Sequence, residues 1–434
     1  MTVAEVNIWG RTIGAVSWDD DQRIANFEYA PDFIESGREV APLMMPLSDQ
    51  IYTFPALARE TFYGLPGFLA DSLPDKFGKA LIDAWLAKQG RDPDDFNSVE
   101  RLCYTGIRGM GALEFAPAQG PTYKQSENVD VAALVELASE ILTRRNALEG
   151  SFAVPDREEA LQDILRVGTS AGGARAKAII AWNPETDEVR SGQIAAGEGF
   201  SYWLLKFDGV AGNMDKELED PQGYGLIEYA YHKMAREAGI QMNECRLLRE
   251  NGRNHFMTKR FDRTETGQKI HMQSLCAIAH YDFNQAGAYS YEQALRVIDK
   301  LGLPKNAVEE QFRRMAFNIT GRNQDDHVKN IAFLMDRSGR WSLSPAFDVT
   351  YSYNPSGPWT GIHQMSLNGK RDDFEVDDFV ACAQNAAMKR GRATEILREV
   401  QQAVSRWKEF AEEAGVPNET VRKIAAAHRT GIIS

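Results

Sequence analysis

Apolar and polar residues alternate at the start of the chain, and a period of two is typical of half-buried β-strands. Val6, Ile8 and Ile13 lie on either side of a Gly-Arg-Thr segment at residues 10–12. Glycine in such a segment favours a tight turn because it tolerates positive φ. The pattern therefore predicts strand, turn and strand, with further strand-like residues up to about residue 29.

The apolar period then changes to that of a helix around residues 65–86. Ser72 and Pro74 interrupt this stretch, and we expect Ser72 to cap a helix that Pro74 opens. A glycine-rich segment leads into a strand predicted near residues 113–115. Residues 117–129 are polar and contain proline and glycine, which is typical of a linker.

Residues 130–262 mix helical and strand patterns, and the remainder of the chain is mostly helical from residue 290 onward. Helices are predicted near 131–142, 226–238 and 397–410, and strands near 176–182, 202–207, 245–248, 255–261, 331–335 and 341–343. We therefore predict an α+β fold with three regions: an N-terminal α/β subdomain (1–116), an α+β region (130–262) and a helical C-terminal lobe (263–434). This order resembles the two-lobed layout of protein kinases.

The net charge of the chain indicates which kinds of partner it can bind. The chain has 49 Lys+Arg and 62 Asp+Glu, a net charge of −13. An acidic surface disfavours direct binding of nucleic acid and favours a basic protein partner. The four cysteines are far apart in sequence and form no zinc-type pair, so we expect reduced thiols. The pattern contains no signal peptide and no membrane span, which predicts a cytoplasmic protein.

A glycine-rich segment at residues 168–177 is the first candidate for chemistry. Residues 164–184 contain Arg166, Arg175 and Lys177 but no acidic residue, which inverts the charge of the chain as a whole. Glycines allow backbone N–H groups to approach a phosphate, so this segment is a candidate anion-binding loop. The alternative is a flexible surface loop.

Lys206 ends an apolar strand and is the second candidate. A lysine in such surroundings is costly to bury unless it is paired. A phosphate group and the acid Glu228 on a predicted helix are candidate partners. The alternative is a lysine that extends from the strand end into solvent.

Asp325, Asn330 and Asp348 form the third candidate constellation. Phosphoryl transfer needs a base for the attacking hydroxyl, oxygen ligands for Mg²⁺ and positive charge beside the phosphates. The Asp-x4-Asn spacing is the spacing of the kinase catalytic loop, and His327 and Lys329 add positive charge. The metal acid follows a phenylalanine instead of preceding it as in Asp-Phe-Gly. A solvated acidic cluster is the alternative.

Taken in order, these motifs resemble the HipA family of serine/threonine kinase toxins from bacterial type II toxin–antitoxin systems, over nearly the whole chain. The matching motifs are Leu-Pro-Asp at 73–75, Gly-Met-Gly-Ala-Leu-Glu at 109–114, Ser170-x-x-Gly173-Ala174-x-x-Lys177, Lys206, Lys-Arg-Phe-Asp-Arg at 259–263, Asp325-x-His327-x-Lys329-Asn330 and Phe347-Asp348.

The resemblance implies a two-lobed protein-kinase-like fold and a role for each matching residue. Asp325 matches the catalytic base, Asn330 and Asp348 match the Mg²⁺ ligands, Ser170 matches the autophosphorylated serine, and Glu228 is a supporting ion-pair partner. The residues that the resemblance assigns to ATP are Gly172, Gly173, Ala174, Arg175, Ala176, Lys177, Lys206, Lys259, Arg260, Phe261, His327, Val328, Lys329, Asn330, Phe347 and Asp348. Within this set, the backbone of residues 259–261 matches the family's hinge for adenine, and Lys206 matches the lysine on the phosphates. Phosphate on the serine is expected to expel its loop by charge repulsion and switch the kinase off.

The resemblance also implies partners. These are ATP and Mg²⁺, a HipB-like helix-turn-helix antitoxin, a protein substrate such as an aminoacyl-tRNA synthetase, and operator DNA through the antitoxin complex only. Residues 271–276 depart from the Gln-Glu-Asp segment of well-known members, and Arg175 stands where they have glutamine, so the substrate is less defined than the chemistry. A kinase-like corepressor or scaffold and a kinase of small hydroxyl compounds remain alternatives.

Overall fold

The computed structural model describes residues 2–120, 126–143, 175–210, 214–215, 218–219 and 223–433. The chain divides into two compact units. The first comprises Met1–Gln222, Leu248–Met272 and Met335–Gly339, and the second comprises Gly223–Leu247, Gln273–Leu334 and Arg340–Ser434.

The N-terminal part of the first unit is an antiparallel five-stranded sheet in the order β4-β3-β2-β1-β5. Its strands are β1 (Val3–Ile8), β2 (Arg11–Asp19), β3 (Ile24–Tyr29), β4 (Tyr52–Thr53) and β5 (Leu113–Ala116). The turn between β1 and β2 consists of Trp9 and Gly10, which have φ of 50° and 78°. Two consecutive residues with positive φ match the twist of a tight hairpin. The predicted order of strand, turn and strand is confirmed, but the turn lies one residue earlier than predicted and residues 11–12 begin β2.

Helices accompany this sheet: α1 (Pro31–Ile34), α2 (Arg59–Phe62), α3 (Gly67–Ala70), α4 (Lys76–Lys88) and α5 (Ser98–Thr105). The predicted cap of α4 is wrong. Asp75, in extended conformation, caps this helix by accepting a 2.7 Å hydrogen bond from the backbone N–H of Gly78. A carboxylate at this position satisfies an otherwise unpaired N–H and also interacts favourably with the helix dipole.

A second five-stranded sheet has the order β11-β12-β8-β6-β7. Its strands are β6 (Lys177–Trp182), β7 (Val189–Ser191), β8 (Ser201–Lys206), β11 (Cys245–Glu250) and β12 (Arg253–Lys259); the pair β9 (Met214–Asp215) and β10 (Leu218–Glu219) is separate, and α6 spans Val131–Thr143. One core joins Leu81 on α4, Val135 on α6 and Ile180, Trp203 and Met257 on the sheet, all 1% exposed or less. Two of the predicted regions thus share this core, and their boundaries stay predictions.

The second unit is mostly helical, as predicted. Its helices are α7 (Tyr224–Glu237), α8 (Leu275–Ala279), α9 (Tyr291–Lys300), α10 (Lys305–Thr320), α11 (Val376–Asn385), α12 (Arg392–Ser405), α13 (Trp407–Ala414) and α14 (Asn418–Ala427). A three-stranded sheet has the order β13-β14-β15, formed by β13 (His271–Ser274), β14 (Ala332–Met335) and β15 (Trp341–Leu343). The single helix predicted over residues 397–410 is two helices that meet at Arg406.

All four cysteines are free and buried. Burial, followed by the charge of Glu100, raises the pKa of the Cys103 thiol to about 11, so this thiol is protonated at neutral pH. Among the residues that the structure describes, no helix has the length and apolar character to span a membrane.

Candidate active site

The loop after α10 holds the predicted base and one predicted metal ligand together. The side-chain amide of Asn330 donates to the carbonyl oxygen of Asp325 at 2.9 Å, and the backbone N–H of Asn330 donates to the carbonyl of His327 at the same distance. Val328 anchors this turn in the core with 1% exposure. The Asp-x4-Asn spacing thus corresponds to a closed loop in which hydrogen bonds fix the side chain of Asn330 against residue 325.

The Asp325 carboxylate lies at the surface of this loop. The indole N–H of Trp359 donates to its Oδ1 at 2.6 Å, and Nε2 of His327 lies 3.8 Å from the same oxygen. The Asp325 side chain is 18% exposed. A carboxylate that is oriented by a hydrogen bond and partly accessible to solvent can accept a proton from a hydroxyl group that docks beside it.

Asp348 has an unusual backbone conformation, with φ of 56°. This left-handed region is uncommon for residues other than glycine, although aspartate tolerates it better than most. The neighbouring Ala346 is fixed by a bridge to Met242 and by a 2.8 Å hydrogen bond from its N–H to the carbonyl of Gln241. Other described residues, such as Trp9 in the first hairpin, share this conformation, so the role of Asp348 as a metal ligand stays a prediction.

Lys206 ends β8 in the first unit, opposite Lys177 of β6 and Phe256 of β12. Its Nζ lies 5.8 Å from the centre of the Phe256 ring. The ammonium group of Lys177 lies 3.2 Å from a carboxylate oxygen of Asp75, and both side chains are nearly inaccessible to solvent, at 3% and 4% exposure. The charge of Lys177 is thus paired within the protein, and the role of this residue at ATP stays a prediction.

The predicted adenine hinge begins at Lys259, the last residue of β12. Lys259 donates to Glu265 at 2.7 Å, and the guanidinium of Arg260 donates to both carboxylate oxygens of Asp262 at 2.8 and 2.7 Å. The backbone N–H of Arg260 donates to the carbonyl of Tyr202. Phe261 is half-buried. The side chains of Lys259 and Arg260 therefore stabilise the hinge, and its backbone stays the predicted binding surface.

Asp262 is a structural centre that the sequence reasoning missed. It is fully buried, and it accepts hydrogen bonds from Arg260, from Arg263 at 2.8 Å and from the backbone N–H of Gly111 at 2.8 Å. Arg263 also donates to the carbonyl groups of Gly109 and Gly111. Burial alone would raise the pKa of Asp262, but the two arginines and these hydrogen bonds lower it well below the usual range. The sequence feature that could have indicated this role is an aspartate between two arginines, Arg260 and Arg263, just after a predicted strand.

The remaining predicted residues are placed as follows. Ser170, Gly172, Gly173 and Ala174 lie outside the described residues. Arg175 is half-buried, Ala176 is buried just before β6, and Glu228 is buried on α7 with 2% exposure. Lys329 lies with its Nζ 5.2 Å from the Phe283 ring, and Phe347 is half-buried. Lys206 and Glu228 belong to different units, so their pairing stays a prediction.

The buried pair of Lys177 and Asp75 gives a first prediction. Lys177→Met should lower the free energy of unfolding by about 3 kcal/mol, because it leaves the Asp75 carboxylate buried without its counter-charge. Adding Asp75→Asn should restore most of this loss, since asparagine caps a helix as well as aspartate and carries no charge. Urea unfolding of both variants measures the effect. A double variant no more stable than Lys177→Met would contradict the interpretation.

The described elements define a protein of mixed α+β class with antiparallel sheets, which confirms the predicted fold class. Two family models match the sequence: the HipA N-terminal domain over residues 4–116 and the HipA-like C-terminal domain over residues 169–407. The chain belongs to the HipA family. A comparison with curated protein sequences finds no match.

Solved structures provide a second comparison. The chain is similar to a structure described as the Shewanella oneidensis MR-1 toxin–antitoxin system HipA, HipB and its operator DNA complex, with a TM-score of 0.67 and 18% identity over 99% of this chain and 95% of that one. At this identity the likeness concerns the fold. A Helicobacter pylori proinflammatory kinase, CtkA, matches over 54% of this chain and 94% of that one, with 12% identity and a TM-score of 0.32.

Proposed function

We propose that this chain is an ATP- and Mg²⁺-dependent serine/threonine protein kinase that acts as the toxin of a type II toxin–antitoxin system. The observation that carries the proposal is the closed loop of Asp325 and Asn330, in which the asparagine amide holds the carbonyl of the candidate base at 2.9 Å. This hydrogen bond turns the amide nitrogen toward Asp325 and leaves the amide oxygen for a cation.

The donor atoms fit Mg²⁺. The amide oxygen of Asn330 and the carboxylate of Asp348 are hard oxygen ligands, and Mg²⁺ at phosphotransfer sites is held by one or two side chains together with substrate phosphates. Among the described residues there is no cluster of three or more His, Cys, Asp or Glu suited to a metal, and such a site does not require one. Bound Mg²⁺ supplies charge neutralisation on the transferred phosphoryl group.

The chain's own residues then perform the following steps. Asp325 accepts the proton of a substrate hydroxyl as that oxygen forms a bond to the γ-phosphorus, and the bond to the bridging oxygen breaks to release ADP. Trp359 orients the carboxylate through its hydrogen bond to Oδ1. Lys206 contacts the phosphates, and the backbone of residues 259–261 receives the adenine.

We further propose the partners of this reaction. Ser170 is the autophosphorylation site, and the protein substrate belongs to the translation apparatus, such as an aminoacyl-tRNA synthetase. A HipB-like helix-turn-helix antitoxin neutralises the kinase, and operator DNA is bound through that complex. Two observations support the partner: the S. oneidensis structure contains HipA with HipB and operator DNA, and a net charge of −13 suits a basic protein. The proposed location is the cytoplasm.

Phosphotransfer from labelled ATP tests the proposal. Purified protein with Mg²⁺ should label itself on Ser170 and should label a protein in a cell lysate, and Ser170→Ala should abolish only the self-labelling. Nucleotide-dependent thermal stabilisation without any label would favour the corepressor or scaffold alternative. Label recovered only in the small-molecule fraction would favour a kinase of small hydroxyl compounds. Either result would contradict the proposal that this chain is a protein kinase.

A further inference from the structure

Asp326, next to the candidate base, is held by three donors from other parts of the second unit. The hydroxyl of Tyr291 donates to Oδ2 at 2.5 Å, Nδ1 of His363 lies 2.7 Å from the same oxygen, and the backbone N–H of Gln364 donates to Oδ1 at 2.7 Å. Asp326 is 3% exposed. Its carboxylate therefore cannot turn without leaving a buried charge unpaired, which is costly.

The hydrogen bonds define where the protons lie. Burial lowers the pKa of His363 and outweighs the opposing effect of Asp326, so the ring is neutral at pH 7. Nδ1 must carry the proton, because it faces a carboxylate, and Nε2 accepts a hydrogen bond from Arg429 at 3.1 Å. Burial alone would raise the pKa of Asp326, but His363, Tyr291 and Gln364 together lower it. The result is a directed chain from Arg429 through His363 to Asp326.

Arg429 is itself fixed in place. Its backbone N–H donates to the carbonyl of Thr320, the last residue of α10, at 2.9 Å, and its guanidinium pairs with Asp372. Burial, followed by the charge of Arg322, lowers the pKa of Arg429 to about 10, which leaves it a cation at neutral pH. The segment after α14 therefore supplies a fixed positive donor to the ring of His363.

The same segment that holds Asp326 also holds the base. The side-chain amide of Gln364 donates to the carbonyl of Trp359 at 2.5 Å, and the indole of Trp359 donates to Asp325 at 2.6 Å. Residues 359–364 thus contact both acids of the catalytic loop, one through an indole and the other through an imidazole and a backbone N–H. Because residues 359–364 form one short segment, a shift of His363 would disturb both the contact with Asp326 and the contact of Trp359 with Asp325.

We propose that Arg429 and His363 are positioning residues that act through Asp326 to fix the orientation of the base Asp325, so that the segment after α14 is part of the catalytic apparatus. This inference rests on the proposed kinase activity. Neither residue is proposed to contact the substrate. A purely structural role would stabilise the fold without affecting the rate of phosphotransfer by the folded protein.

Arg429→Met in the full chain separates these two roles. The matched control is Arg422→Met, which removes the same charge from an exposed position on α14. At a temperature well below unfolding, Arg429→Met should lower kcat about tenfold while KM for ATP changes less than twofold, because a misoriented base slows chemistry and leaves nucleotide binding intact. Arg422→Met should match the wild type.

Two variants of His363 provide a rescue test. His363→Asn keeps a side-chain N–H donor near the position of Nδ1, whereas His363→Phe offers Asp326 no donor at all. The kcat values should therefore fall in the order wild type, His363→Asn and His363→Phe. Equal values for the two variants would overturn the proposed route through Asp326.

Amide hydrogen exchange keeps this inference separable from the proposed function. If the wild type showed no phosphotransfer, the proposed kinase activity would be contradicted. The rate of amide exchange in residues 325–330 would still test whether Arg429 and His363 hold the loop of Asp325 in place. Arg429→Met should accelerate exchange in this segment, whereas Arg422→Met should not. Unchanged exchange in Arg429→Met, or an unchanged kcat in an active protein, would overturn the inference.

Discussion

Asp325→Asn is expected to lower the rate of phosphotransfer about a thousandfold, which is within the range that general base catalysis contributes. The amide cannot accept the proton of the attacking hydroxyl, although it has nearly the same shape as the carboxylate. The indole of Trp359 can still donate to the amide oxygen, and the hydrogen bond from the side-chain amide of Asn330 to the carbonyl of residue 325 is unaffected. The loss should therefore appear in kcat, with little change in ATP affinity.

Single-turnover transfer from labelled ATP, with thermal unfolding of the same samples, measures this prediction. Asp377→Asn is the matched control, because it makes the same change at an exposed position near the start of α11. The unfolding free energies of both variants should lie within about 0.5 kcal/mol of the wild type, since surface changes are usually this small. An Asp325→Asn protein that retains a third of the wild-type rate would exclude Asp325 as the base.

Asp262→Asn is expected to produce the largest loss of stability. The carboxylate is fully buried between Arg260 and Arg263, and asparagine of nearly equal size leaves both cations without their counter-charge. Breaking a buried pair in this way costs about 3–5 kcal/mol. The backbone N–H of Gly111 also loses a charged acceptor. Urea unfolding should show a lower midpoint with little change in slope.

The pH dependence of this effect has a definite sign. The folded state lowers the pKa of Asp262, so the stability that this group contributes is fully present above its unfolded pKa of about 3.9. This contribution declines as the pH falls further toward the lower folded pKa. The difference between wild type and Asp262→Asn should therefore be constant near neutral pH and shrink in acid. Asp95→Asn, an exposed change in the same unit, is the control and should show no such difference.

Two results would contradict the prediction that the charge of Asp262 stabilises the fold. If Asp262→Asn unfolded at the same urea concentration as Asp95→Asn, the two arginines would be adequately solvated or paired without the carboxylate. If the difference between wild type and variant persisted unchanged below pH 3, the effect would have a cause other than the charge of Asp262.

The regular elements could be predicted from the sequence because their signals are local. The alternation around Ile8 and Ile13 and the helical period of residues 226–238 each specify an element within a short window. The Asp-x4-Asn spacing is local as well, and the structure closes it into one turn. The predicted cap of α4 is wrong because serine and proline are both common at the start of a helix. The residue that caps the helix is Asp75, one position after the proline.

The missed contacts join residues that are far apart in the chain. Asp262 lies 151 residues from Gly111, and His363 lies 37 residues from Asp326 and 66 from Arg429. No periodicity or motif spacing encodes such partners, since they depend on which elements pack together. The chemical type of each residue was visible in the sequence, but the pairing that determines its charge and orientation was not.

The core shared by α4, α6 and the second sheet has an evolutionary consequence. Leu81 and Phe77 on α4 lie in the same core as Ile180 on β6 and Leu205 on β8, all fully buried. Close-packed cores tolerate a change of volume only when a neighbour compensates. Larger side chains on α4 in other family members should therefore occur together with smaller ones on β6 or β8. The N-terminal region and the sheet that carries Lys206 would then be inherited as a matched pair, and recombination between genes at residue 117 would produce poorly folded hybrids.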